Sequence, residues 1–156
     1  MLLIRDAAVS DVPMLLTFFR ELAEYERQPD AVVITDEALI RDGFGSQAKF
    51  RGLIAEWEGQ AIGYALFFGF YSSWKGPGIF LEDLFVREAF RGRGIGRGLL
   101  SEVARIAEQE GYGIRWEVLG WNESAIKFYK SLGAEFFDDW RQVLLEADAL
   151  NRLADG

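Results

Sequence analysis

The chain has 156 residues, half of them hydrophobic and 15% aromatic, which suits one folded domain spanning 1–156 and argues against disorder. Its net charge of −8 and pI of about 4.6 argue against a nucleic-acid partner, whose phosphates it would repel, and suit a small cationic substrate. With no cysteine and no histidine, a disulfide framework, a Cys/His zinc site, a Ser–His–Asp triad and a cysteine nucleophile are all excluded, and no metal is expected. Acid–base chemistry falls to Asp, Glu, Tyr, Lys, the N-terminal amine or water.

Residues 2–5 read as an edge or first strand. Ser10 can cap the following helix, with Asp11 and Pro13 in its first turn. Leu15, Phe18, Phe19 and Leu22 recur at helical spacing and carry it to about Tyr25. Thr35, Asp36 and Glu37 open a second short helix that ends near residues 43–45. Residues 51–57 and 61–71 are strands flanking the turn Glu58-Gly59-Gln60. A second turn at 74–78 precedes a strand over 79–86. From Ile95 the spacing becomes helical, with Leu99, Val103 and Ile106 on one face, until Gly111–Gly113 stops it. Residues 114–119 alternate as a strand, and 122–132 form a helix closed by Gly133. A final strand or hairpin around 136–145 and a short helix over 147–153 follow. The fold class is therefore α/β: a mixed sheet with antiparallel N-terminal strands and parallel central strands, flanked by helices. No stretch suits a signal peptide or a membrane span, so a cytoplasmic protein with no membrane partner is expected.

The most informative segment is Arg91-Gly92-Arg93-Gly94-Ile95-Gly96-Arg97-Gly98, between a strand and a helix. Alternating glycines let backbone N–H groups converge on an anion, and the helix adds its positive N-terminal end. Arg87, Arg91, Arg93, Arg97 and Arg105 concentrate positive charge there, although a flexible loop with solvated arginines is the plain alternative. No lysine follows the glycines, so this is not a P-loop. G-x-G-x-x-G is completed in no frame, its last position falling on Arg97, Leu99 or Ser101. Glu117 does lie where a ribose-binding acid would, which keeps a nicotinamide-dinucleotide-binding oxidoreductase as an alternative.

The pattern Arg91-x-x-Gly94-x-Gly96 is similar to the acetyl-CoA pyrophosphate loop of the GNAT acetyltransferase superfamily. The resemblance extends over nearly the whole chain. It includes Leu81-Glu82-Asp83-Leu84-Phe85-Val86, the segment from Trp121 to Lys130, and Leu132-Gly133-Ala134. Glu24-Tyr25-Glu26, Asp42-Gly43-Phe44-Gly45 and Tyr71-Ser72-Ser73-Trp74 look like the diamine branch, the spermidine/spermine and thialysine N-acetyltransferases. Ser72 stands where the polyamine enzymes commonly carry an aspartate, which removes one attraction for a distant second ammonium group.

The resemblance implies a GNAT-like fold, acetyl-CoA as co-substrate, a diamine, polyamine or thialysine-like acceptor, direct attack in a ternary complex, and a homodimer. It assigns acetyl-CoA to the backbone of Leu84, Phe85 and Val86, to Arg91, Gly92, Arg93, Gly94, Ile95, Gly96 and Arg97, and to Asn122 and Tyr129. Tyr25, Glu26, Glu82, Asp83, Glu117 and Trp121 would shape the amine site. The residues admit other readings: 84–86 as a core strand, Trp121 as packing or dimer interface, Tyr129 as a core tyrosine, and Glu82 or Asp83 as a structural acid.

Glu82 and Asp83 are consecutive acids in an apolar strand and so are expected on opposite faces. An alkyl ammonium, with a pKa of about 10.4, must lose a proton before it attacks a thioester, and Glu82 acting through water is the implied base. Asn122, Ile126 and Tyr129 share one helical stripe, and Tyr129 is the implied acid for the leaving thiolate. A non-catalytic acyl-CoA-binding sensor is the second alternative.

Overall fold

The apolar runs on either side of Glu58 and Gly59 pair as β2 (Arg51–Trp57) and β3 (Gln60–Ser72). Both turn residues have positive φ, 52° and 81°, the conformation whose twist matches that of the paired strands. β1 (Leu2–Asp6) joins antiparallel at the edge, with Leu2 opposite Trp57. β4 (Gly76–Val86) runs antiparallel to β3, from Ser72↔Gly76 to Gly63↔Val86. β5 (Ile114–Arg115) lies parallel to β4, giving a mixed five-stranded sheet in the order β1-β2-β3-β4-β5. The computed structural model describes residues 1–156, which form two compact units, Met1–Glu117 and Val118–Gly156.

In the first unit, α1 (Val12–Tyr25) covers one face of the sheet. Its Leu15 and Phe18 pack with Ile54, Tyr64, Leu66 and Phe85. α2 (Asp36–Phe44) starts where the Thr35 hydroxyl accepts from Ala38 N–H, and its Leu39 packs against Val12 and Leu16. α3 (Ile95–Glu110) lies on the other face and buries Ile95, Leu99, Leu100, Val103 and Ala107. Gly98 brings it close to β1: a Cβ there would sit 2.9 Å from Ile4 Cδ1. In the second unit, Asn122 caps α4 (Glu123–Ser131), Gly133 closes it with φ 83°, and α5 (Ala147–Ala154) follows. No helix is long and apolar enough to cross a membrane.

Three local expectations fail. Ser10 does not cap α1; it lies in a 3-10 turn over Val9–Asp11, and Asp11 holds the cap position. The Asp11 carboxylate accepts from Ala8 N–H at 2.7 Å and pairs with Arg5, so it serves the turn before the helix. The strand expected over 114–119 shortens to Ile114–Arg115. No ladder forms over 136–145, where Asp138 and Asp139 make a turn in which Trp140 N–H donates to Phe137 O at 3.2 Å. Apolar content there leaves Phe137, Trp140, Val143 and Leu144 exposed rather than paired.

Candidate active site

The first unit's site is organised by an irregularity in β4. Asp83 lies opposite Leu66 and Leu81 lies opposite Phe67, so Glu82 has no counterpart on β3. This is a β-bulge, one extra residue that bends its strand and resets which face each side chain takes. Asp83 shares the α1 face with Phe85, while Leu81 passes to the α3 face with Phe67. Strict alternation along β4 therefore breaks between Leu81 and Asp83. The short β5 stops just before the bulge. Its ladder with β4 stops at Phe80↔Arg115, and the edge of β4 over Glu82–Val86 takes no pairing from it.

Four acids gather beside that edge. Glu26 follows the last turn of α1, Glu82 and Asp83 lie on β4, and Glu117 comes two residues after β5. None of the four takes part in a salt bridge. Burial, then the neighbouring Glu82, raises the Glu26 carboxyl above its usual value. Burial raises Glu82 as well, aided by Asp83 and Glu117. Asp83 is pushed up to about 6 by burial and Glu26, against the lowering effect of a hydrogen bond from Tyr64. Tyr64 hydroxyl donates to Asp83 Oδ2 at 2.8 Å. Like charges held together without a cation are costly, and a bound ammonium would relieve that cost.

The glycine segment has the geometry of an anion cradle. Gly92 and Gly94 have φ of 76° and 78°, values that other residues rarely adopt, and a Cβ on either would point into open space. Gly94 occupies the N-cap of α3 with no side-chain cap, so the first N–H groups of the helix receive no bond from it. Arg91 ties the loop to the strand end, its Nε donating to Val86 O at 2.8 Å, and its guanidinium lies 4.6 Å from the Tyr25 ring centre. Tyr25, expected in the amine site, thus meets the loop. Arg93 lies over Trp57 and Phe90.

The arginine field is smaller than the sequence suggested. Arg87 pairs with Glu21 at 2.7 Å and also donates to Ala61 O, and Arg105 pairs with Glu102. Arg91, Arg93 and Arg97 enter no salt bridge and remain as the loop's cations.

Within the second unit, Asn122 Oδ1 accepts from Ala125 N–H at 3.3 Å, as a helix cap does. Tyr129 is buried on α4 with its ring 5.4 Å from that of Phe128, and Trp121 is 39% exposed just before the helix.

Sequence reasoning missed Tyr64 and the bulge. A tyrosine inside the apolar run 61–71 was the available signal, because a buried hydroxyl requires a partner. The bulge left no such mark.

A model of the acetyltransferase (GNAT) family matches residues 14–134, well over half of the chain. The chain belongs to the GNAT acetyltransferase family. This acetyltransferase is 40% identical over 164 residues to the thialysine N-epsilon-acetyltransferase of Sus scrofa, covering 97% of this chain and 96% of that protein. It is 37% identical over 139 residues to the spermidine/spermine N(1)-acetyltransferase-like protein 1 of Homo sapiens, covering 84% of this chain and 20% of that protein. Among solved structures, an integron cassette protein of V. cholerae matches with a TM-score of 0.81 at 25% identity, covering 99% of this chain and 98% of that one. Membership of this N-acetyltransferase family favours neither the dinucleotide oxidoreductase nor the acyl-CoA sensor.

Proposed function

We propose that this GNAT protein transfers the acetyl group of acetyl-CoA to the primary amine of a small cation of the thialysine or short-diamine class, by direct attack in a ternary complex. The observation that carries the reading is the course of β4. Its bulge bears the acids Glu82 and Asp83, and its last residues, Leu84 to Val86, lead through an Arg91-anchored turn into the α3 N-terminus. Cation and phosphate ends of one reaction thus flank one short stretch of unpaired strand edge.

In this reading, the N–H groups of the glycine loop and the cations Arg91, Arg93 and Arg97 hold the diphosphate, and Gly92 and Gly94 keep the cradle free of side chains. Backbone groups of Leu84, Phe85 and Val86 align the pantetheine arm and polarise the thioester. Asp83, Glu26 and Glu117 attract the ammonium. Glu82, made a stronger base by burial and by its neighbours, takes the ammonium proton through water. The nitrogen lone pair then attacks the carbonyl carbon, the C–N bond forms, the C–S bond breaks, and Tyr129 supplies the proton taken up by sulfur. Asn122 and Trp121 complete the cofactor and amine contacts.

Two observations favour a short acceptor over spermine. Relatives of nearly equal length bear the thialysine name. The Ser72 hydroxyl accepts from Trp74 and Lys75 N–H at 3.2 and 3.3 Å, shaping the β3–β4 turn, and brings no charge. The reading extends to a cytoplasmic homodimer, for which the exposed Phe137, Trp140, Val143 and Leu144 offer an apolar surface.

The test is thiol release from acetyl-CoA across thialysine, lysine, short diamines, spermidine, spermine and peptides. Turnover should be highest with thialysine or a short diamine. Acetyl-CoA-dependent release with none of these amines would overturn the proposal.

A further inference from the structure

Tyr64 is the largest fully buried side chain of the protein. Its ring packs against Phe18, Phe19 and Phe85 at centroid distances of 5.6, 5.3 and 6.1 Å, so a phenylalanine would serve the core equally well. The hydroxyl needs another explanation, and its partner is Asp83 Oδ2 at 2.8 Å. Tyr64 lies opposite Phe85, and Asp83 lies opposite Leu66, so the bond crosses the strand pair on a diagonal that a long aromatic side chain can span. It reaches β4 at the residue immediately after the bulge.

The groups facing Asp83 are Tyr64 from β3, Glu26 from the end of α1, and Glu82 beside it on β4. Two are like charges and one is a donor. No salt bridge reaches Asp83.

We propose that Tyr64 is a positioning residue for the amine, its hydroxyl pinning one oxygen of the Asp83 carboxylate so that the other is held ready for the substrate's ammonium group. The inference rests on the reading of Asp83 as part of the amine site. No proton is transferred: burial, then Asp83, keeps the Tyr64 hydroxyl well above its usual pKa and therefore a donor at neutral pH. The same bond opposes the burial and the Glu26 charge that raise Asp83, keeping that carboxyl ionised at pH values where it would otherwise be protonated.

The experiment is Tyr64→Phe, which keeps the ring and deletes the bond. At neutral pH the KM for the amine should rise roughly tenfold, as expected for losing a hydrogen bond to a charged group, while kcat and acetyl-CoA affinity stay within about twofold. The acid limb of kcat/KM for the amine should move to higher pH. In an Asp83→Asn background, Tyr64→Phe should add less than about a twofold change, because the charge it serves is gone.

A variant that melts earlier but leaves the amine KM and the acid limb unmoved would overturn the inference, as would an equal effect in the Asp83→Asn background. Carbon-13 NMR titration of the aspartate carboxyls separates this failure from that of the proposed function. If no amine reacts, the ammonium role falls with it, and the titration still judges the pin. Asp83 should titrate higher in Tyr64→Phe, and an unmoved resonance would refute the bond's influence. Should Tyr64→Phe not fold, 3-fluorotyrosine at position 64, a stronger donor, should move the limb to lower pH, and no movement would count against the inference.

Discussion

Replacing Asp83 with Asn should make the protein more stable, and increasingly so as the pH rises. Burial and Glu26 lift the Asp83 carboxyl from an ordinary 3.8 to about 6 in the folded state. A carboxyl raised by folding binds more protons in the native state than in the unfolded chain. Stability is therefore fully present below the ordinary value and is lost as pH climbs through the folded one. The full difference corresponds to roughly 3 kcal/mol at alkaline pH, and solvent access to the cluster brings the expectation to about 1–2 kcal/mol. Asparagine keeps an oxygen for the Tyr64 hydroxyl but cannot ionise, so this penalty disappears. Urea unfolding followed by circular dichroism, at about pH 4 and about pH 8, measures the gap between variant and parent. The gap should widen by that amount toward alkaline pH with an unchanged m-value. A gap that stays constant, or closes as pH rises, would refute the picture of a destabilised, uncompensated carboxylate.

Glu82→Gln should lower turnover by about 10²–10⁴, most severely at acid pH where free amine is scarce; an unaltered pH–rate profile would exclude Glu82 as the base. Tyr129→Phe should reduce kcat by about 10² while acetyl-CoA affinity measured by calorimetry changes less than about twofold; equal turnover would remove Tyr129 as the acid. Gly94→Ala places a Cβ on a backbone at φ 78°. It should cost about 1–2 kcal/mol in denaturant unfolding and raise the KM for acetyl-CoA; an unaffected KM would argue against diphosphate binding at this turn.

What could be read directly from the chain was whatever depends on near neighbours. The stripe Leu15, Phe18, Phe19, Leu22 marks α1 because helical spacing is a local property, and Thr35 marks its helix start for the same reason. The glycines at 92 and 94 were visible because a left-handed backbone constrains residue type. Features that depend on two distant segments were hidden. The bulge at Glu82 is a relation between β3 and β4, and the extent of β5 is a relation between β4 and residues more than thirty positions away, pairing only as far as Phe80↔Arg115. Tyr64 reaches Asp83 only in the register that the fold establishes. Proximity in sequence groups Arg87 and Arg105 with the cationic loop, yet the fold pairs them with Glu21 and Glu102.

The unmatched residue in β4 has a consequence for how this site can vary. Its aim depends on a count of residues, not only on their kinds. Removing the unmatched Glu82 would leave Leu81 and Asp83 consecutive, opposite Phe67 and Leu66, and would abolish the bulge while the other pairs keep their register. Substitution can retune the acids one at a time, whereas losing a single residue at this point straightens the strand that carries them.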